Sequence, residues 1–528
     1  MSRNARSTLS AGAWMATVLF FCVLTGSARA ETRMPPGAAL AAAKYEPVTA
    51  VESGDRKHGG DNAEKSHKNK GGERGKKRER PLPVPEQAWN VASIILGCPT
   101  QDRITLSVYP AATLEGYLEY GPEKNPFAGK IAPQTFAGKT ATQLTLSGLS
   151  GNTTYRYRLR YRKPGGTAFE TGPIYHFQTC RTPGSSFTFE LQGDSHPERT
   201  PKQNDPRLYA QTLAAAAKDR PDFYLCMGDD FSVDTLPEVS TAAVERVYLK
   251  QLPYLGLVAN SAALFLVSGN HEQAARCNLD GTADNVAVWA QTTRNALFPQ
   301  PAPDNFYSGD AEKVEHIGLL RDYYAWTWGD ALFVVIDPYW HSKAPVDNVF
   351  GGDKKTRDQW NIGLGEAQYQ WLTKTLEESK ATYKFVFAHH VNGTGRGGIE
   401  CADRFEWGDA AGLAEHRPGW PLPIHQLLVK NHVTIFFQGH DHVFARQEKD
   451  GVVYQTLPDP ANPNYLTNNK DAYLSGDVLP GSGRVRVSVA PEKVRVEYVR
   501  SWLPGDTTAA HPDGEVAYTY EIPAKKDQ

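Results

Sequence analysis

The stretch Phe187-Thr-Phe-Glu-Leu-Gln-Gly-Asp194-Ser-His196 is an apolar run of strand length that stops at a glycine and passes at once into two residue types that ligate metals. Four further runs downstream also end in metal-ligand residue types, three of them after a glycine. Phe223 to Met227 leads into Gly228-Asp229-Asp230, Ala263 to Val267 into Gly269-Asn270-His271-Glu272, Tyr383 to Ala388 into His389-His390, and Val433 to Phe437 into Gly439-His440-Asp441-His442. Short, continuous apolar runs mark strands buried on both faces. A glycine after such a run lets the chain turn sharply, and in open α/β sheets sites form where the carboxyl ends of strands converge.

Taken singly, each motif has an ordinary use. An aspartate after a strand caps a helix, a Gly-Asn pair makes a turn, and a His-x-His pair packs or is solvated. Five in order, each directly after a buried-strand pattern, point instead to one shared site. Imidazoles mixed with carboxylates suit transition ions such as Fe, Zn, Mn, Ni or Co, whereas an all-oxygen set would suit Mg or Ca. A carboxylate bridging two such ions sets them roughly 3.5–4 Å apart, close enough to share an acidified water that serves as nucleophile. No side-chain nucleophile is then required.

Around these motifs the apolar run Leu332 to Ile336 reads as a further strand, and Arg207 to Lys218, Thr241 to Gly256, Glu366 to Ser379 and Pro423 to Asn431 read as helices. The region from 184 to 528 is therefore expected to be a layered α/β domain, closed by a hairpin of Val485 to Val489 and Lys493 to Tyr498. Upstream, over 82–183, the runs Ile104 to Tyr109, Gly116 to Tyr120, Gln143 to Leu146, Thr154 to Tyr161 and Ile174 to Gln178 alternate apolar and polar residues between turn signals. Period two at that spacing predicts a small all-β sandwich.

The first thirty residues carry Arg3 and Arg6, an apolar stretch from Ala13 to Leu24, and small residues at Ala28 and Ala30. That is the pattern of a signal peptide cleaved after Ala30, and the apolar stretch is shorter than the about 20 residues a bilayer core requires. The mature chain is expected to be periplasmic or secreted, with no transmembrane segment after cleavage. Residues 31–81 are polar and basic, with Lys65, Lys68, Lys70, Arg74, Lys76, Lys77, Arg78 and Arg80 among Gly, Asn and Glu. Such a stretch cannot bury a core and is expected to be a disordered linker, able at most to make weak contact with an anionic polymer. The formal net charge of −2 over 528 residues supplies no global field to recruit nucleic acid, and none is expected as a partner. An oxidising compartment would permit the disulfide pairs Cys98–Cys180 and Cys277–Cys401, with Cys226 a buried thiol.

The ordered motifs from Phe187 to Phe444 resemble the calcineurin-like metallophosphoesterase superfamily. The resemblance implies a four-layer β-sandwich flanked by helices, and it assigns ligands. Asp194, His196, Asp229 and His442 would hold the first ion; Asp229, Asn270, His389 and His440 would hold the second. His390 could replace His389 in principle. By the same resemblance His271 protonates the leaving group while Glu272 orients its ring. Arg396, in the glycine-rich segment after His390, could meet a phosphate oxygen, as could His390 itself.

The segment Leu146-Ser-Gly-Leu-Ser-Gly-Asn-Thr-Thr-Tyr-Arg-Tyr-Arg-Leu159, closing with Phe177-Gln-Thr179, resembles the fibronectin type III-like domain that precedes purple acid phosphatase catalytic domains. Those enzymes place an iron-ligating tyrosine three residues after the bridging aspartate, where this chain has Ser232, and they lack a histidine at the position of His196. An iron-loaded protein is therefore expected to lack their strong visible absorption.

The expected function is hydrolysis of phosphomonoesters by a metal-bridging hydroxide. A phosphodiesterase or nucleotide hydrolase with the same centre is the alternative, and a non-catalytic surface-binding protein is a more distant one. The roughly 120 residues between Asn270 and His389 exceed what one βα unit needs, and aromatics there, including Trp326, Trp328, Tyr339 and Trp340, or the Gly351-Gly352 loop, could rim the substrate site.

Overall fold

The computed structural model describes residues 91–236, 238, 240–346 and 358–525. The expected signal peptide, the basic linker, the first residues of the all-β region and the Gly351-Gly352 loop lie outside the described residues.

Two sheets form the centre of the region from 184 onward. The first has six strands in the order Ala263–Leu266, Phe223–Cys226, Phe187–Gln192, Gly483–Ala490, Lys493–Arg500 and Val516–Pro523. Its first three strands are parallel and its last three antiparallel. The hairpin read near the end of the chain thus gains a third strand and completes this sheet. The second sheet, of eight strands, has at its heart the parallel set Ala331–Val335, Tyr383–Phe387, Ile435–Gln438 and Val452–Thr456.

Strand alternation divides the buried residues between layers. Phe187, Phe189 and Leu191 point from one face of their strand into the space between the sheets, where they meet Phe333, Phe385 and Phe437 of the opposing sheet. The other face of the first sheet, through Tyr224, Cys226, Leu264 and Leu266, packs under the helices Pro206–Asp219, Thr241–Ala259 and Val286–Leu297. The outer face of the second sheet, through Val334, Val386 and Phe436, packs under Gly365–Glu378 and Ile424–Lys430. Helix, sheet, sheet and helix are the four layers that the resemblance implied.

Phe189 sits at the middle of the inter-sheet core, fully buried, with ring centroids 5.4 Å from Phe223, 5.2 Å from Phe333 and 5.5 Å from Phe385. Truncation there leaves a cavity between two sheets that cannot close independently. Phe189→Ala is expected to lower unfolding free energy by about 3–5 kcal/mol in a denaturant titration.

The all-β region comprises a three-stranded antiparallel sheet, Ala92–Gly97, Arg103–Pro110 and Thr142–Ser147, and a second antiparallel sheet built on Leu114–Pro122 and Thr154–Arg162. It is seated on the first sheet's helices: the Tyr157 hydroxyl donates to the Asn260 carbonyl at 2.6 Å, and Gln143 donates to the Asn295 carbonyl at 2.7 Å. Among the described residues no helix is long and apolar enough to cross a membrane.

The expected disulfides are not formed. Cys98, Cys180, Cys226, Cys277 and Cys401 are all free thiols. Cys180 donates to the carbonyls of Arg181 and Thr327, each at 3.4 Å, and Cys401 to the carbonyl of Arg396 at 3.2 Å, so the fold holds these thiols against backbone instead of against one another.

Candidate metal centre

Parallel pairing of Phe187–Gln192, Phe223–Cys226 and Ala263–Leu266 brings the first three motifs out side by side at one end of the first sheet. Pairing of Tyr383–Phe387 with Ile435–Gln438 does the same for the last two at the facing end of the second. Two hydrogen bonds join the halves. His389 Nδ1 meets the Met227 carbonyl at 2.7 Å, and the His440 amide donates to Asp194 Oδ1 at 2.7 Å.

Close approach explains two of the glycines. A Cβ on Gly269 would stand 2.3 Å from Asp229 Oδ1, and Gly228, at φ +94°, would place one 2.9 Å from His389 Nδ1. His196, Asp229, His440 and His442 themselves have φ of 41°, 57°, 67° and 56°. A left-handed backbone is unusual for side-chain-bearing residues, and such conformations concentrate at functional sites.

Two sets of donor atoms result. Asp194, Asp229, His389 and His440 offer atoms within 4.8 Å of one another, as do Asp194, His196 and His442. Asp229 Oδ2 lies 3.1 Å from His389 Nε2, 3.8 Å from His196 Nε2 and 3.7 Å from His271 Nε2. Asp194 Oδ2 lies 3.1 Å from His442 Nε2 and 3.5 Å from His196 Nε2. Asn270 is buried at the start of the short helix Asn270–Glu272, next to the glycine that packs on Asp229. Burial alone would raise both carboxyls, but His389 with His442 for Asp194, and His389 with His271 for Asp229, hold them well below the usual carboxylate range.

On three of the histidines the ring nitrogen turned away from the centre is occupied. His389 uses Nδ1 on Met227, His440 uses Nε2 on the Gly395 carbonyl at 3.1 Å, and His196 uses Nδ1 on Glu198 at 2.8 Å. These contacts select the tautomer and leave the inward nitrogen for a ligand bond. His196 Nε2 and Asp194 Oδ2 are buried with no hydrogen-bond partner, as ligand atoms of a metal would be. Ser232, at the position a tyrosinate would occupy, lies 3.3 Å from His196 Nδ1. The residues present fit a pair of transition ions.

His390 is turned elsewhere. It is fully buried, meets the Gly397 carbonyl through Nε2 at 3.1 Å, and is pushed down to about 3 by burial and by His389. It braces the glycine-rich loop with its ring 4.9 Å from that of His440, and it supplies no atom to the donor sets or the cavity wall. The role expected of Glu272 also falls to another residue. Its carboxylate accepts from the amides of Asp230, Phe231 and Gly269, at 3.1, 3.3 and 2.8 Å, whereas the carboxylate on the His271 ring is Asp234, 2.7 Å from Nδ1.

A cavity of about 270 Å³ opens over the donor sets, lined by His196, Asp229, His271, His440 and His442, with Arg199 and Arg396 also in its wall. Arg396 is held by the His440 carbonyl at 2.8 Å and Asp441 at 3.2 Å. Arg199, three residues after His196 and not singled out from the sequence, lies 3.3 Å from His271 Nε2. A wall carrying two guanidiniums over a carboxylate and imidazole floor suits a phosphate group.

The family described as calcineurin-like phosphoesterase matches residues 191–444. These residues form a calcineurin-like phosphoesterase domain. The chain is accordingly a metal-dependent hydrolase of phosphate esters. The fold is similar to the solved structure of PhoD, with a TM-score of 0.56 at 14% identity over 84% of this chain and 91% of that one. It is also similar to the purple acid phosphatase PPD1 from yellow lupin (Lupinus luteus) seeds, with a TM-score of 0.54 at 16% identity over 82% of this chain and 74% of that one. No curated protein matches the sequence. Within the phosphoesterase domain, every motif from Asp194 to His442 falls inside the matched residues.

Proposed function

We propose that this chain is an exported phosphomonoesterase with two transition ions, drawn from Fe, Zn, Mn, Ni and Co, held by the seven residues Asp194, His196, Asp229, Asn270, His389, His440 and His442. The observation that carries the proposal is the position of Asp229 Oδ2, within 3.8 Å of inward-facing nitrogens on His389, His196 and His271, beneath a cavity with two arginines in its wall. Ions bound there supply Lewis acidity and an acidified water.

The side chains do the rest. Arg199 and Arg396 bind and orient the phosphoryl oxygens. His271, its ring fixed at Nδ1 by Asp234, presents Nε2 to the cavity; it accepts there from Arg199 and would carry the proton for the leaving oxygen once Arg199 turns to the phosphoryl group. Burial opposes charge on His271, but the Asp229 and Asp234 carboxylates outweigh it and raise the imidazole above its ordinary range. Two guanidiniums match the dianion of a monoester better than the single charge of a diester. The division into a signal peptide at 1–30, a basic linker at 31–81, a fibronectin type III-like domain at 82–183 and a catalytic domain at 184–528 belongs to the same proposal.

Initial rates on an aryl phosphomonoester and on the corresponding bis-aryl diester test the substrate class. The monoester is expected to be hydrolysed faster. Clear preference for the diester would overturn the monoester assignment in favour of a phosphodiesterase using the same centre.

A further inference from the structure

A second cluster of metal-ligand residues lies apart from the seven, at the end of the second sheet. Ser308–Gly309 pairs antiparallel with Tyr324–Trp328, which sets Asp310 beside the segment entering that strand, and the Asp310 amide donates to the Tyr323 carbonyl at 3.1 Å. Asp322 immediately precedes this segment. His341 arrives from the loop after Ala331–Val335, whose turn is pinned where Asp337 accepts the Tyr339 amide at 2.7 Å. One donor atom from each of Asp310, Asp322 and His341 lies within 4.8 Å of the others.

The unusual member is Asp322. Only 2% exposed, it has no aligned hydrogen-bond donor on either carboxylate oxygen. Asp310 engages one oxygen, with the Glu312 amide at 2.8 Å, while its other oxygen is buried without a partner, and so is His341 Nε2. The nearby guanidinium of Arg276 is paired with Glu312. Burial, Asp337 and Asp310 together push Asp322 well above the usual carboxylate range. Three residues that each bring a donor atom within 4.8 Å of the others, and that bury four such atoms without partners, carry a cost that a shared cation would remove.

We propose that Asp310, Asp322 and His341 form a third metal site, separate from the dinuclear centre and independent of its assignment. Two carboxylates with one imidazole select a divalent transition ion of the Zn²⁺ or Mn²⁺ type. Bonds of about 2.0–2.2 Å require only a small inward movement of the three side chains. The ion ties three segments together behind the loop that carries Tyr339, whose ring centroid lies 6.1 Å from that of His389. Its role is to hold that loop and not to touch substrate.

The test uses the full chain, stripped with chelator and titrated with Zn²⁺ while bound metal and melting temperature are followed. Asp322→Asn and His341→Ala are each expected to bind one fewer Zn²⁺ per chain than wild type and to lose part of the zinc-induced rise in melting temperature. Crystals of the zinc-loaded wild type should show an anomalous peak among the three side chains, a reading that requires no variant to fold. Equal zinc content in wild type and both variants, or no peak there, overturns the proposal. Asp229→Ala keeps the two sites distinguishable, since it should lose zinc from the dinuclear centre and retain this third ion.

Discussion

Asp229→Ala is expected to release phosphate about 10³-fold more slowly than wild type, because metal stabilisation of transition-state charge is worth several kcal/mol and each tenfold in rate corresponds to about 1.4 kcal/mol. The same variant should lose metal from the dinuclear centre. Asp229 is the carboxylate whose Oδ2 faces imidazoles of both halves of the site, His389 at 3.1 Å and His196 at 3.8 Å. Its other oxygen accepts the His271 amide at 2.9 Å, so alanine also loosens the turn that carries His271. Asp229→Asn separates the effects, since the amide oxygen can keep the backbone hydrogen bond while the charge is lost. Both variants should be deficient in metal and in rate, with strand content by circular dichroism unchanged. Phosphate release at the wild-type rate from either would contradict the assignment.

His271→Ala carries the second large effect, about 10²–10⁴-fold in kcat, the range of general acid–base catalysis. The loss should depend on the leaving group. An alkyl phosphate, which expels a basic alkoxide, needs the proton and should show the full loss; a nitrophenyl phosphate, which expels a stabilised phenolate, should show much less. Asp234→Asn should reproduce this leaving-group dependence in weaker form, because Asp234 is the carboxylate 2.7 Å from the His271 ring. Glu272→Gln should not, since Glu272 holds the backbone amides of Asp230, Phe231 and Gly269. Equal losses on both substrates in His271→Ala would assign that histidine to binding and not to proton transfer.

The central strands were legible because parallel strands covered on both faces require unbroken apolar runs, and Phe223 to Met227 or Val433 to Phe437 have little other use. Glycine before Asp194, Asp229, Asn270 and His440 marked where four of those strands end. Elsewhere the local signal was weak. The helix Val286–Leu297 contains β-branched and polar residues and owes its place to packing beneath the first sheet. Asp234 and Arg199 follow their motifs within a few residues, yet what they touch is decided by how two loops meet over the cavity. His271 stood beside an acidic neighbour in sequence, while the carboxylate that reaches its ring comes from the preceding motif's loop. The pairings suggested for the cysteines rested on their order along the chain, which carries no information about the carbonyls that Cys180 and Cys401 meet in the fold. Asp310, Asp322 and His341 are scattered through 32 residues with no recognisable spacing, and strand pairing together with the loop after Ala331–Val335 brings them together.

Anomalous diffraction from crystals of the metal-loaded chain, collected at the absorption edge of the ion, tests the dinuclear assignment most directly. Two peaks are predicted about 3.5–4 Å apart, between Asp194 and Asp229, with His196 and His442 around one and Asn270, His389 and His440 around the other. A single peak in that space, or a pair too distant for Asp229 to bridge, would contradict the account.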